Sequence, residues 1–387
     1  MAKIIYFDNA SATQVDSRVI LAMQPFWQDI YANPSSVYSL GLEAKAAIDR
    51  SRRIVADFLA AKVEQIVFTS GGTEANNLAI FGAVSGLKKG RIITSEIEHP
   101  SVLRPIEELA KRGFEIVKIK VGRDGVIQVK DVRKYLNQNT VLVSIIYANN
   151  EIGTIQPIAE IGKTINNFNK RLPAGALRVV FHTDACQATQ YLEMNVNKLN
   201  VDLLTINGSK IYAPKGIGAL YVKEGKIAAQ ILGGEQEQGM RAGTENVAGI
   251  VGLATALKIV NQNEGLRLKK IRDFIIRQLL TIDRSELNGS RTKRLPSNVN
   301  LSFAGVEGEA LVLYLDRRGI CVSTGSACAS RSLQPSYVVS AIKGDEVAHS
   351  SIRISLGRYN TMREAKIVVA AIKEAVSQLR KISESEK

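Results

Sequence analysis

Three loops in this chain set reactive or anion-binding residues directly after short apolar runs of β type. The first, Ser70-Gly71-Gly72-Thr73-Glu74, follows the run Gln65 to Ser70 and opens a helical pattern from Thr73 to Ala83. Its glycines let backbone N–H groups approach an anion, and a helix start adds partial positive charge. It lacks the Lys-Ser/Thr ending of a nucleotide phosphate loop, and the chain has no G-x-G-x-x-G fingerprint. Alone, it reads equally as a tight turn before a helix. The second loop, Thr183-Asp184-Ala185-Cys186-Gln187, carries an acid that suits a cationic ring nitrogen or an ordinary helix cap. The third, Asn207-Gly208-Ser209-Lys210, ends in a lysine. An amine just past a buried strand can have the depressed pKa that a Schiff base needs, or it can be a solvated charge.

The joint pattern is more selective than its parts. A phosphate needs backbone donors, a pyridine nitrogen an anionic partner, and an aldehyde a lysine amine, which together match pyridoxal phosphate (PLP). For the loops to meet, they must leave one sheet at the carboxyl ends of its strands, where open α/β sheets bind ligands. The pattern supplies such a sheet. Apolar runs at Arg91 to Ser95, Glu115 to Val121, Val141 to Tyr147, Arg178 to Thr183 and Leu203 to Asn207 alternate with helical stretches, one starting near Pro100. That alternation predicts an α/β fold with a mainly parallel sheet. From Ile250 to Leu280 the periodicity predicts one long amphipathic helix. Strands at Pro296 to Phe303 and Arg317 to Ser323, then a helix over Thr361 to Ile382, make the last third a smaller α+β domain.

The chain has 387 residues, 45% apolar and 23% charged, which suits a folded protein of two or three domains. No apolar run approaches the ~18 residues of a membrane span. The start, Met1 to Asp8, has an acid within its only apolar stretch and does not read as a signal peptide. Three sparse cysteines (Cys186, Cys321, Cys328) imply no disulfide framework and a reducing, cytoplasmic setting. No Cys/His cluster has metal-ligand spacing, so no metal is expected. The net charge of +14 gathers around Lys88-Lys89 with Arg91, Arg267 to Lys270 with Arg272, and Arg291 to Arg294. With 6% aromatic residues and no recognition motif, these clusters read as solvated surface rather than a nucleic-acid site, docking of an acidic acceptor being the alternative.

Several runs carry a resemblance. They are Tyr6 to Thr13, Phe68 to Glu74, Glu98-His99, Asn149-Asn150-Glu151-Ile152-Gly153, Asp184 to Gln187, Lys210 to Leu220, Arg241 to Thr244, Gly325 to Cys328 and His349 to Arg353. With them the chain resembles the class V aminotransferase superfamily and, within it, the cysteine desulfurases of the NifS/IscS type. The resemblance implies a PLP-dependent transferase of fold type I, with a large domain over 16–261 built on a mainly parallel mixed sheet. A smaller α+β domain of 1–15 and 262–387 would carry the catalytic loop, about 323–337. Lys210 would bind PLP through its amine and shuttle the Cα proton, Asp184 would pair with the pyridine nitrogen, and Gln187 would bond the phenolic oxygen. His99 would stack on the ring and assist proton transfer at the substrate thiol. Gly72, Thr73, Ser209 and a partner subunit's copy of Thr244 would hold the phosphate, with Asn150 and Asn207 also on the cofactor. Asn150 and Arg353 would grip the L-cysteine carboxylate.

Cys328 would be the sulfur acceptor, becoming a persulfide as alanine is released, and its longer loop resembles the NifS/IscS group rather than SufS. Cys186 and Cys321 would be structural. The implied partners are a second copy of the chain and a sulfur acceptor, either an iron–sulfur scaffold or a tRNA or cofactor thiolase. A class V aminotransferase or a selenocysteine lyase is the nearest rival reading; Cys328 argues against the first, and the sequence leaves the second open. Two positions depart from the family: Ser209 stands where most relatives have His, and Ala213 replaces a Gly before Pro214. Ser209 keeps a donor for phosphate but not an imidazole's positive charge, so weaker PLP retention is expected. A PLP titration of Ser209→His should show tighter binding than wild type; no gain would remove the idea.

Overall fold

The fold follows from strands too apolar to face water on either side. In this computed structural model, residues 4–325 and 335–385 are described; Cys328 lies outside them. The strands are β1 (Ile5–Tyr6), β2 (Ile66–Thr69), β3 (Arg91–Ser95), β4 (Glu115–Ile119), β5 (Thr140–Ser144), β6 (Val180–Asp184), β7 (Leu203–Asn207), β8 (Gly218–Val222), β9 (Ser285–Leu287), β10 (Asn298–Phe303), β11 (Ile320–Cys321) and β12 (Ser351–Ser355). A seven-stranded sheet takes the order β2-β8-β7-β6-β5-β3-β4, in which β8 alone runs against its neighbours. Every residue of β2, β5 and β8 is buried, as a sheet covered on both faces requires. Helices Ser39–Leu59, Ile158–Asn169 and Val247–Lys258 pack their apolar residues into the main core beside it.

A second core lies over the antiparallel sheet β12-β10-β9. Helices Gln262–Leu279, Gly308–Asp316 and Met362–Ser385 cover it, and Phe7 near the amino end enters it too. The β-bridges Asp8 to Ser355 and Ser323 to Arg353 then tie the amino-terminal segment and the residues before Cys328 to β12.

Two expected elements differ. The single helix expected over Ile250 to Leu280 is two, Val247–Lys258 and Gln262–Leu279, because the Asn261 side chain caps the second by accepting from Asn263 N–H. The strand expected over Arg317 to Ser323 pairs with β1 only at Ile320 and Cys321, since β1 is two residues long, and its last residue, Ser323, bridges to Arg353 instead. The basic clusters also change character. Arg272 and Arg294 are buried, 4% and 3% exposed, and Arg272 donates to the carbonyls of Arg294 and Leu295. Burial, with Arg272 nearby, pulls Arg294 down to about 9.

No helix among the described residues is long and apolar enough to cross a membrane. The edge strand β2 is anchored by a buried ion pair. Arg52 forks onto Glu237 at 2.6 and 2.7 Å, Glu237 also accepts Phe68 N–H at 2.8 Å, and the guanidinium lies over the Phe68 ring. Glu237→Ala strands the Arg52 cation and should cost about 3–5 kcal/mol. Guanidinium unfolding checks this; an unchanged midpoint would contradict it.

Candidate active site

The carboxyl ends of the central strands open into one cavity of about 470 Å³. After β2 the chain turns at Gly71, whose φ of +149° strains any residue with a Cβ. The next residue starts helix Gly72–Ala83, and no side chain among the described residues caps it, so its first N–H groups suit an anion. Gly72, Thr73 and Asn76 from this helix line the cavity, with His99 after β3, Asn150 after β5, Asp184 and Gln187 at β6, and Asn207 and Lys210 at β7. Arg353 of β12 closes the wall.

Asp184 is the fixed charge of the site. Its Oδ1 accepts Cys186 N–H at 3.0 Å and its Oδ2 accepts Asn76 Nδ2 at 2.8 Å. Lys210 donates its amine to the Ser11 carbonyl. Gln187 donates to the Ala10 carbonyl at 2.9 Å, and the Ser209 carbonyl accepts from both the N–H and the hydroxyl of Thr13. One amino-terminal strand of chain thus crosses the site and touches the residues after both β6 and β7. Arg353, 2% exposed, reaches the same segment, donating to Asp8 Oδ1 at 2.8 Å and to the Ser11 hydroxyl at 2.7 Å.

His99 caps helix Pro100–Lys111: its Nδ1 accepts the Ser101 N–H at 3.1 Å, with Pro100 at the first helical position. Burial holds the imidazole below its ordinary value against the opposing pull of Asp184, and the Lys210 cation adds to the depression. Glu98 beside it is fully buried. Its Oε1 accepts the Ser95 hydroxyl and Ile146 N–H, while its Oε2 has no hydrogen-bond partner among the described residues. Burial pushes this carboxyl up to about 8. Glu151, also buried, accepts the Ser336 hydroxyl, and a Cβ on Gly325 would lie 3.0 Å from its Oε2. Glu151 thus bonds one flank of the stretch 326–334, and Gly325 at the other flank lines the same cavity.

Most of the residues named from sequence come together here, with three exceptions. Ser209 turns its hydroxyl onto Asn207 Oδ1 at 3.3 Å and does not line the cavity. Thr244 is exposed in a separate hollow beside Ser70 and Arg241. Cys328 lies outside the described residues. Cys186 lines the cavity, and burial, with Asp184 adjacent, pushes its thiol far up, which leaves it inert. Sequence reasoning gave no role to Asn76, Ser101, Asp8, Ser11 or Glu151. Asn76 had a usable signal, since its position one turn after Gly72 puts it on the same helix face. Among the described residues no group of His, Cys, Asp or Glu could hold a metal ion.

The residues fit PLP on two observations. The cavity joins an uncapped helix start, an acid and a lysine amine. It also holds two buried polar atoms, Asn150 Oδ1 and Arg353 Nε, with no hydrogen-bond partner among the described residues. Gly72, Thr73 and Asn207 could hold the phosphate end, Asp184 could face the ring nitrogen and Lys210 the aldehyde.

Glu98 has a folded-state value above the unfolded one, about 4.3, so its stabilising form is the acid. Its contribution is present below about pH 4 and is lost as pH rises through about 8. Glu98→Gln keeps an oxygen for Ser95 and Ile146 without the charge. It should gain stability over wild type by on the order of 2–4 kcal/mol between pH 5 and 8, read from unfolding curves at each pH. A pH-independent difference would contradict the assignment.

A family model described as aminotransferase class-V matches residues 5–368. A cysteine desulfurase IscS of Dictyoglomus turgidum is 45% identical, aligned over 99% of this chain and 97% of that protein. The solved structure of a NifS-like protein superposes with a TM-score of 0.89 at 33% identity, covering 97% of this chain and all of the other. That of SspA in complex with cysteine gives 0.81 at 35% identity, covering 92% and 100%. Sequence, fold and site agree, and the chain belongs to the class-V aminotransferase family, among the cysteine desulfurases of the NifS/IscS type.

Proposed function

We propose that this chain converts L-cysteine to L-alanine and passes the sulfur to its own Cys328. The observation that carries the reading is one cavity in which Lys210, Asp184, His99 and the buried Arg353 all take part. PLP, when bound, supplies an electron sink for the bonds at the substrate's α carbon. The rest falls to side chains. Arg353 meets the substrate carboxylate with its planar fork, with the Asn150 amide beside it, and Asp8 and Ser11 keep that fork oriented. Lys210 moves the proton at Cα through its Nζ. The Cys328 thiolate bonds to the substrate sulfur as the carbon–sulfur bond breaks. The electrons of that bond stay on carbon, and this methylene takes up one proton to become the methyl group of alanine.

The hydrogen bond of Ser336 to the cavity residue Glu151, and the place of Gly325 in the cavity lining, support this role for Cys328, because these two residues flank its segment. We read 16–261 as the large domain, with 1–15 and 262–387 as the small one that supplies Arg353 and Cys328. A homodimer is part of the reading. Thr244 would complete the partner's phosphate site, and Trp27, Tyr31, Val37 and Tyr38 expose apolar surface suited to a second copy. The sulfur would pass to an iron–sulfur scaffold or to a thiolase for tRNA or cofactors, in the cytoplasm.

Lys210→Ala should lose the cofactor's visible absorbance band and all alanine formation from cysteine, with no keto acid present in the assay. Arg353→Lys should raise KM for cysteine ~10- to 100-fold, because one point charge replaces a two-pronged hydrogen bond. Alanine production by Lys210→Ala at the wild-type rate would sink the reading.

A further inference from the structure

A chain of hydrogen bonds runs from Asp184 to His99 through two side chains that have no role so far. The Asn76 amide turns its Nδ2 toward Asp184 Oδ2, which accepts at 2.8 Å. The other Nδ2 hydrogen points to the Ser101 hydroxyl, also at 2.8 Å. A hydroxyl that accepts from Asn76 keeps its own proton free to donate, and 2.7 Å away stands His99 Nδ1. The Ser101 backbone N–H, 3.1 Å away, donates to the same nitrogen. Two donors on Nδ1 require its lone pair, so the imidazole proton sits on Nε2.

The orientation of Asn76 leaves its Oδ1 buried without a hydrogen-bond partner among the described residues. An amide held that way in the interior, with the residue 0% exposed, is held by what its nitrogen does. Reversing it would set two acceptors against each other at Asp184 and at Ser101.

We propose that Asn76 and Ser101 are positioning residues that carry the orientation imposed by the Asp184 carboxylate to His99, fixing it as the neutral Nε2–H tautomer. His99 then meets the substrate as a hydrogen-bond donor rather than as a base. Protonating the ring would place a hydrogen on Nδ1, against both Ser101 donors. Arg104, Glu151, Asp184, Cys186, Lys210, Tyr337 and Arg353 are the titratable and charged groups that line the cavity with His99, and Glu98 precedes it in the chain. The substitutions below leave all of them in place, so they isolate the relay. The inference rests on the cysteine desulfurase reading for its consequence but not for its readout.

The test is ¹⁵N NMR of PLP-loaded enzyme labelled only in its three histidines, with His99→Gln to assign the His99 signals. At neutral pH, His99 Nδ1 should show a pyridine-type shift and Nε2 a pyrrole-type shift. Asn76→Ala and Ser101→Ala should each mix the tautomers and raise the His99 titration midpoint by roughly half a unit to one unit. Ser101→Thr, which keeps the hydroxyl, should restore both. The acid limb of alanine formation should move upward with the midpoint. A wild-type proton on Nδ1, or a Ser101→Ala enzyme with unchanged tautomer and midpoint, would overturn the proposal. Failure to form alanine would instead count against the functional reading, and the spectra distinguish the two.

Discussion

A carboxylate kept at the end of a buried strand is the constraint on which this site depends. Asp184 closes β6 at the middle of a sheet whose neighbouring strands are almost wholly buried. Charge at such a place is costly unless it is satisfied, and the donors that satisfy it are the Cys186 N–H and the Asn76 amide. The helix that supplies Asn76 also supplies Gly72 and Thr73. Satisfying the acid therefore also places the anion-binding helix start. The same amide reaches Ser101 and through it His99, so parts from three strand ends share one hydrogen-bonded frame.

The second organising element is the amino-terminal segment from Asp8 to Thr13. It touches Lys210, Gln187 and Ser209 on one side and Arg353 on the other. Arg353 sits on β12, in the sheet of the second core, whereas Lys210 follows β7 in the first. Asp8 and Ser11 thus set the distance between the amine and the guanidinium that would face opposite ends of one amino acid. Glu151 does comparable work on the other wall, where the Asn298 and Asn300 amides hold its carbonyl and its carboxyl accepts from Ser336.

Much of this could be read from the sequence, for identifiable reasons. Strands such as Leu203–Asn207 announce themselves by composition, and a lysine or an aspartate directly after one is visible because position and chemistry coincide. Ser101 was not legible, since a serine early in a helix is ordinary, and the spacing of Asn76 from Gly72 gave its helix face but not its partners Asp184 and Ser101, which lie on other elements. Arg272 and Arg294 misled in the opposite way. A run of basic residues looks like surface, yet these two are buried, and carbonyl groups serve as acceptors for both. The break at Asn261 was hidden because apolar periodicity continues across it. The short β11 depended on β1, more than three hundred residues away in sequence.

The account's central claim is that sulfur leaves cysteine onto Cys328. Intact-protein mass spectrometry after brief exposure of the PLP-loaded enzyme to L-cysteine tests it most directly, followed by peptide mapping without reductant. The predicted result is the added mass of one sulfur atom, located on Cys328, reversed by a thiol reductant and absent from Cys328→Ser. Alanine formed at the normal rate with Cys328 unmodified, or with the sulfur on Cys186 or Cys321, would contradict it.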